Sequence, residues 1–87
     1  MPKTNINGEE IGSITHYFSG IGVAVVALSS DLKHGDRIRI KGRSTDFEQD
    51  VDSMQIDGQT IQDAQVGQEI GLKVEEKVKE GDKAYKL

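Results

Sequence analysis

The sequence contains no cysteine. That absence excludes disulfides, thiolate metal centres and cysteine nucleophiles, and it fits a reducing cytoplasm. Proline is almost missing as well, with one residue at Pro2, whereas there are ten glycines, a balance that suits tight turns between strands. No long hydrophobic run exists. The longest, Val23–Leu28, falls far short of the roughly 20 residues that span a bilayer, and residues 1–10 lack the apolar stretch of a signal peptide. We therefore expect a soluble, cytoplasmic protein with no membrane partner. An excess of positive charge is also lacking. Eleven Lys and Arg stand against 15 Asp and Glu, for a net charge of −4, which opposes general attraction to nucleic acid and argues against a DNA partner.

What is present is a chain of 87 residues, the size of one domain, with an apolar fraction of 34% gathered into short β-branched segments. Residues 1–10 are polar, carry the Asn7-Gly8 pair and show no sustained periodicity, so they read as a flexible leader to a single domain over residues 11–87. Residues 11–18 and 23–28 read as strands separated by Gly20-Ile21-Gly22. Residues 29–36 form a connection. Residues 37–42 alternate strictly, with Ile38 and Ile40 on one face. Phe47, Gln49 and Val51 continue at period two. The three-residue step from Val51 to Met54 then predicts a β-bulge near Asp52 or Ser53.

Asp57-Gly58 is a type I′ turn signal, since both central positions need positive φ. Ile61, Ala64 and Val66 follow, with Gly67 as a breaker. Ile70, Leu72 and Val74 alternate inward, and Glu80-Gly81-Asp82 turns the chain into a last strand through Ala84, Tyr85 and Leu87. Six to seven short strands without a helix predict an all-β fold, a small closed or nearly closed antiparallel barrel. No internal repeat or low-complexity segment stands out.

Arg37, Arg39, Lys41 and Arg43 occupy the polar face of their strand, a stripe that is able to follow a phosphate backbone. Asp46, Glu48, Asp50 and Asp52 answer it at the same period. A hairpin through Ser44-Thr45 with partners summing to 89 sets Arg43 opposite Asp46, Lys41 opposite Glu48, Arg39 opposite Asp50 and Arg37 opposite Asp52. It also pairs Ile38 with Val51 and Ile40 with Gln49, and a shift by two keeps both the charge ladder and the apolar face. The structural role for these cations outweighs an RNA-facing one.

Gly20-Ile21-Gly22 lacks the third glycine, the helix and the Lys-Ser or Lys-Thr ending of a phosphate loop, so no GTP binding is expected and a turn is the better reading. His16 and His34 belong to no spaced ligand set, the acidic loops lack the calcium pattern, and Ser13, Ser19 and Ser29 sit in no nucleophile elbow. The expectation is no metal, no cofactor and no catalysis by this chain. Lys33, Arg37, Arg39, Lys41, Arg43, Phe18 and Ile21 are the candidate RNA or partner contacts.

Five segments in order carry a family resemblance: Ile11-Gly12-Ser13-Ile14 leading to Tyr17-Phe18; Gly20-Ile21-Gly22-Val23-Ala24-Val25-Val26; Gly35-Asp36-Arg37-Ile38-Arg39-Ile40-Lys41-Gly42; Val51-Asp52-Ser53-Met54-Gln55-Ile56-Asp57-Gly58; and Ala64-Gln65-Val66-Gly67-Gln68-Glu69-Ile70-Gly71-Leu72. Together they resemble the β-barrel second domain of translational GTPases such as elongation factor Tu, and small stand-alone elongation-factor-like proteins. Where those factors carry Gly-Arg-Gly-Thr, this chain has Gly20-Ile21-Gly22-Val23, an apolar corner in place of a polar one. The resemblance implies a non-enzymatic binding module of translation that contacts ribosomal RNA, transfer RNA or a protein of that machinery. The alternative is a protein-interaction or accessory barrel without RNA contact, assembling with itself or with a separately encoded enzyme.

Overall fold

The computed structural model describes residues 9–87, and most of the expected leader lies outside the described residues. Ten strands follow in chain order: β1 (Glu9–Phe18), β2 (Val23–Leu28), β3 (Leu32–Lys33), β4 (Arg37–Lys41), β5 (Asp46–Asp50), β6 (Met54–Ile56), β7 (Gln59–Ile61), β8 (Asp63–Ala64), β9 (Glu69–Lys73) and β10 (Lys83–Lys86). Thus β1 opens two residues ahead of Ile11. No helix long and apolar enough to cross a membrane occurs among the described residues.

Eight strands form one antiparallel sheet in the order β5-β4-β10-β1-β2-β9-β6-β7, while β3 and β8 pair separately. The all-β expectation holds, but the closed barrel of six to seven strands is corrected to a larger sheet curled into a half-barrel. The physical reason is that segments read as single strands are broken. Residues 59–68 hold both β7 and β8, and residues 46–56 hold β5 and β6, which pair with different neighbours.

The step from Val51 to Met54 is therefore a strand break and not a bulge. Val51 still bonds back to residues 35 and 36, whereas Met54 pairs with Leu72 on β9. The bulges lie in β1, where its register slips against β10 between Glu10 and Gly12 and against β2 between Ile14 and His16. Gly12 is needed at the first slip. A Cβ there would lie 2.6 Å from the Ala27 carbonyl oxygen and 2.9 Å from a Val26 methyl.

Alternation along β2 turns Ala24, Val26 and Leu28 inward and leaves Val23, Val25 and Ala27 half-buried on the outside. The inward set joins Ile11, Ile14, Ile38, Ile40, Ile70 and Leu72 in the concavity of the sheet. Burying each such branched side chain contributes about 1.5–3 kcal/mol, the main drive for the curl.

Three strands enter the sheet through the same turn. In Lys33–Asp36, Gln65–Gln68 and Lys79–Asp82 the fourth residue's N–H donates to the first residue's carbonyl at 3.1 Å, and glycine with φ of 92–95° holds the third position, as a type II turn requires. The fourth side chain then accepts the first residue's N–H: Lys33 to Asp36 at 2.9 Å, Gln65 to Gln68 at 2.7 Å and Lys79 to Asp82 at 2.9 Å. Asp57 (φ 52°) and Gly58 (φ 79°) form the expected reversal between β6 and β7.

At the other edge, a buried amide joins the curl. Gln49 on β5 is 2% exposed; its Nε2 donates to the Lys73 carbonyl at 2.8 Å and its Oε1 accepts the Glu75 N–H at 2.8 Å. This side chain ties β5 to the end of β9 where no backbone ladder does.

Candidate functional site

The β4–β5 hairpin adopts the register displaced by two from a sum of 89: Arg37 faces Asp50, Arg39 faces Glu48 and Lys41 faces Asp46, with Ile38 opposite Gln49 and Ile40 opposite Phe47. The charges meet as a ladder. Arg39 grips Asp46 through two hydrogen bonds of 2.7 and 2.8 Å, Arg37 reaches Asp50 at 3.1 Å and Glu48 at 3.6 Å, and Lys41 lies 3.7 Å from Asp46. The bond from Arg39 holds the Asp46 carboxyl below its ordinary value, and the same contacts raise Arg39 and Arg37. Arg37, Arg39 and Lys41 are thus paired with neighbouring carboxylates, which offsets much of the stripe's positive charge. Arg43 is exposed in the turn of this hairpin, and Asp52 lies 4.0 Å from His34 rather than opposite Arg37. Lys33 sits apart, on the two-stranded sheet.

The other two candidates, Phe18 and Ile21, come together at the tip of the β1–β2 hairpin. Phe18 pairs with Val23, and its carbonyl accepts the N–H groups of Ile21 at 3.2 Å and Gly22 at 2.9 Å, a tight loop that Gly22 completes with φ of 66°. The loop is anchored from below by the Val74 N–H on the Gly22 carbonyl at 3.0 Å. With the backbone so fixed, the apolar side chains have nowhere inward to go. Phe18 is 47% and Ile21 62% exposed, beside an open pocket of about 400 Å³ lined by Tyr17, Phe18, Ser19, Gly20 and Ile21.

His16 steadies this corner. Its ring meets Phe18 edge to face with centroids 4.3 Å apart, and its Nδ1 lies 3.4 Å from the Glu80 carboxylate. The tip is apolar at its apex and polar at its rim, the arrangement of a protein-docking patch. Among the described residues no group of three or more His, Asp or Glu is placed to hold a metal ion, and neither histidine is hydrogen-bonded to a hydroxyl.

Sequence reasoning missed Gln49 and the reciprocal turns. A lone Gln at an inward-facing position of a strand was the available signal for the first. Three Gly-Asp or Gly-Gln pairs immediately before alternating segments were the signal for the second.

No family model matches the chain. Over 79 residues it is 39% identical to an uncharacterized protease of Methanocaldococcus jannaschii, covering 90% of this chain and 19% of that protein. It is 38% identical over 79 residues to a collagenase of Porphyromonas gingivalis, covering 88% of this chain and 22% of that one. The likeness is to proteases, not translation factors. The chain spans about a fifth of the length of the curated relatives it matches.

Two solved structures share its fold, both of the C-terminal domain of a Geobacillus thermoleovorans protein described as a U32 peptidase. One has a TM-score of 0.85 at 20% identity and covers 98% of this chain and 99% of its own; the other has 0.84 at 21% and covers 88% and 98%. These relatives overturn the resemblance to elongation factors, and with it the reading as a translation-related RNA-binding module. The periods and Gly-Asp turns behind that resemblance specify a β fold, and a fold does not carry a function.

Proposed function

We propose that this chain is a non-catalytic accessory domain of a U32-type peptidase, and that it acts by docking a protein, through the Phe18 and Ile21 tip, to bring catalytic chain and module together. The observation that carries this reading is the alignment of nearly the whole module with one fifth of a protease, joined to a fold match with a peptidase's C-terminal domain. The exposed apolar tip is the surface with the composition for such docking, since aromatic and aliphatic anchors ringed by polar groups dominate protein interfaces.

The test uses the Methanocaldococcus jannaschii protease made without its matching segment. Binding of the 87-residue chain to that catalytic part is measured by calorimetry, and hydrolysis of gelatin is followed with and without the chain. The expected result is no hydrolysis by the chain alone, binding to the catalytic part, and loss of binding in the double variant Phe18→Ser, Ile21→Ser. Hydrolysis by the chain alone, or docking indifferent to both substitutions, overturns the proposal.

A further inference from the structure

The rim of the apolar tip carries a titratable ring, and the register of β1 puts it there. Ile14 points into the core, so an even step of two would point residue 16 inward as well. The slip between Ile14 and His16 adds the residue that turns His16 out, opposite Val25, and Phe18 follows on the same outer face, opposite Val23. The two rings meet there with centroids 4.3 Å apart and planes at 71°. A partner that covers Phe18 therefore takes water from His16 too.

One carboxylate faces this imidazole at ion-pair distance among the described residues. The Lys79–Asp82 turn, held by the Gly81 N–H on the Ile14 carbonyl at 2.8 Å, sets Glu80 3.4 Å from Nδ1. On the other side β2 and β9 present Val25 and Gly71, which carry no charge. The remaining ionisable groups around the ring are directed elsewhere. Tyr17 packs on the core, Asp82 is buried on the Lys79 N–H, Lys83 lies 3.8 Å from Glu10, Lys79 is exposed in its turn, and Lys73 stands beyond Val23 next to Gly22. The side chain of Glu80 is 67% exposed and that of His16 49%, so the carboxylate stays in water at a contact that dehydrates the imidazole.

We infer that His16 is a positioning residue of the tip whose charge gates docking: neutral, it supports Phe18 and is covered with it; protonated, it weakens the contact. The inference rests on the docking role of the tip. A neutral imidazole presents an apolar body with one polar atom turned to Glu80. An imidazolium needs water on the face that docking dries, and a carboxylate at the rim offsets only part of that cost. Histidine is the side chain whose ordinary charge change falls between about pH 5 and 8, so docking is full at the upper end of that range and declines toward the lower.

The experiment measures docking of the 87-residue chain to the catalytic part of the Methanocaldococcus jannaschii protease by calorimetry from about pH 8 to about pH 5.5. It compares the protein with His16→Phe, Glu80→Gln and His34→Asn, while NMR follows the His16 and Phe18 ring signals of the chain alone. The affinity is expected to fall about three- to tenfold across this range. His16→Phe, which keeps a ring against Phe18, flattens the profile. Glu80→Gln removes the offsetting carboxylate and deepens the fall. His34→Asn, beside the two-stranded sheet, leaves the profile unchanged, and the Phe18 signals move along the His16 titration. Should His16→Phe fail to fold, Glu80→Gln at its exposed position still decides. A flat profile in the protein, a profile that survives His16→Phe, or Phe18 signals indifferent to His16 overturns the inference. Docking that Phe18→Ser with Ile21→Ser abolishes but pH leaves alone sinks the gate and keeps the tip; no docking at any pH sinks the tip and the gate with it.

Discussion

The β4–β5 hairpin and the β1–β2 tip are opposites. The hairpin holds the most conspicuous feature of the chain, a row of cations against a row of anions, and the structure shows each row answering the other. The tip holds two apolar side chains that stay largely in solvent, Phe18 against the His16 ring and Ile21 at the apex. Prominence in a sequence and availability to a partner are thus different properties. A charge pattern with its complement five to thirteen residues downstream satisfies itself, whereas an apolar residue held in a tight, anchored loop cannot.

The largest expected effect lies where the hairpin meets the rest of the sheet. Gln49→Leu keeps the size of a buried side chain but strands the Lys73 carbonyl and the Glu75 N–H. Two lost partners at about 1–3 kcal/mol each predict a destabilisation of roughly 2–6 kcal/mol, read by urea unfolding, with early hydrogen exchange at the Glu75 amide. A loss under about 1 kcal/mol would mean that the curl closes without this amide.

Next in size are the reciprocal turns, ranked by burial. Asp82 is 4% exposed, Asp36 is half-buried and Gln68 is exposed, yet all three accept the same kind of backbone N–H. Alanine at Asp82 is expected to cost about 1–3 kcal/mol, with less at Asp36 and least at Gln68, since an orphaned donor is expensive only away from water. Equal losses at the three sites would show that turn geometry alone sets the stability.

The ladder itself should matter less and should depend on pH. Asp46 has its folded pKa held down by Arg39, so its contribution is full above the ordinary carboxylate range and is lost as pH falls through the depressed value. The stability gap between the protein and Asp46→Asn should therefore be open at neutral pH, close on acidification and narrow in high salt, as thermal unfolding at several pH values would report. A gap that widens in acid contradicts the ladder.

Alternation made the strands readable, because a sheet with one buried face imposes period two on Ile38 and Ile40 or on Ile70, Leu72 and Val74. The two-residue ambiguity in the β4–β5 register was also real in the sequence: a charge ladder and the apolar face survive the shift, although Arg43 and Asp52 drop out of the ladder. The three-residue spacing failed as a signal because it has two causes. Ile11 and Ile14 stay in one strand whose register slips on either side, between Glu10 and Gly12 and between Ile14 and His16, while between Val51 and Met54 the chain changes partners. Only the neighbouring strands distinguish these. The edge of β5 was likewise hidden, since strand order depends on pairings far apart in sequence. The tip was half legible: Phe18 and Ile21 were visible as apolar residues beside glycine, but their exposure depends on the anchor from Val74.

The smallest expected change in stability belongs to the tip, and there it carries the most information. Phe18→Ser and Ile21→Ser remove side chains already about half in water, so each should shift unfolding by no more than about 0.5 kcal/mol. Phe18 also supports the edge of His16, so its replacement should change the His16 ring environment in NMR while that of Ile21 does not. If both variants keep their stability and lose the catalytic part, the apolar tip is a docking surface that folding leaves unfilled. If they instead unfold the domain, the tip is a component of the core reached from outside, and the contrast with the self-satisfied hairpin disappears.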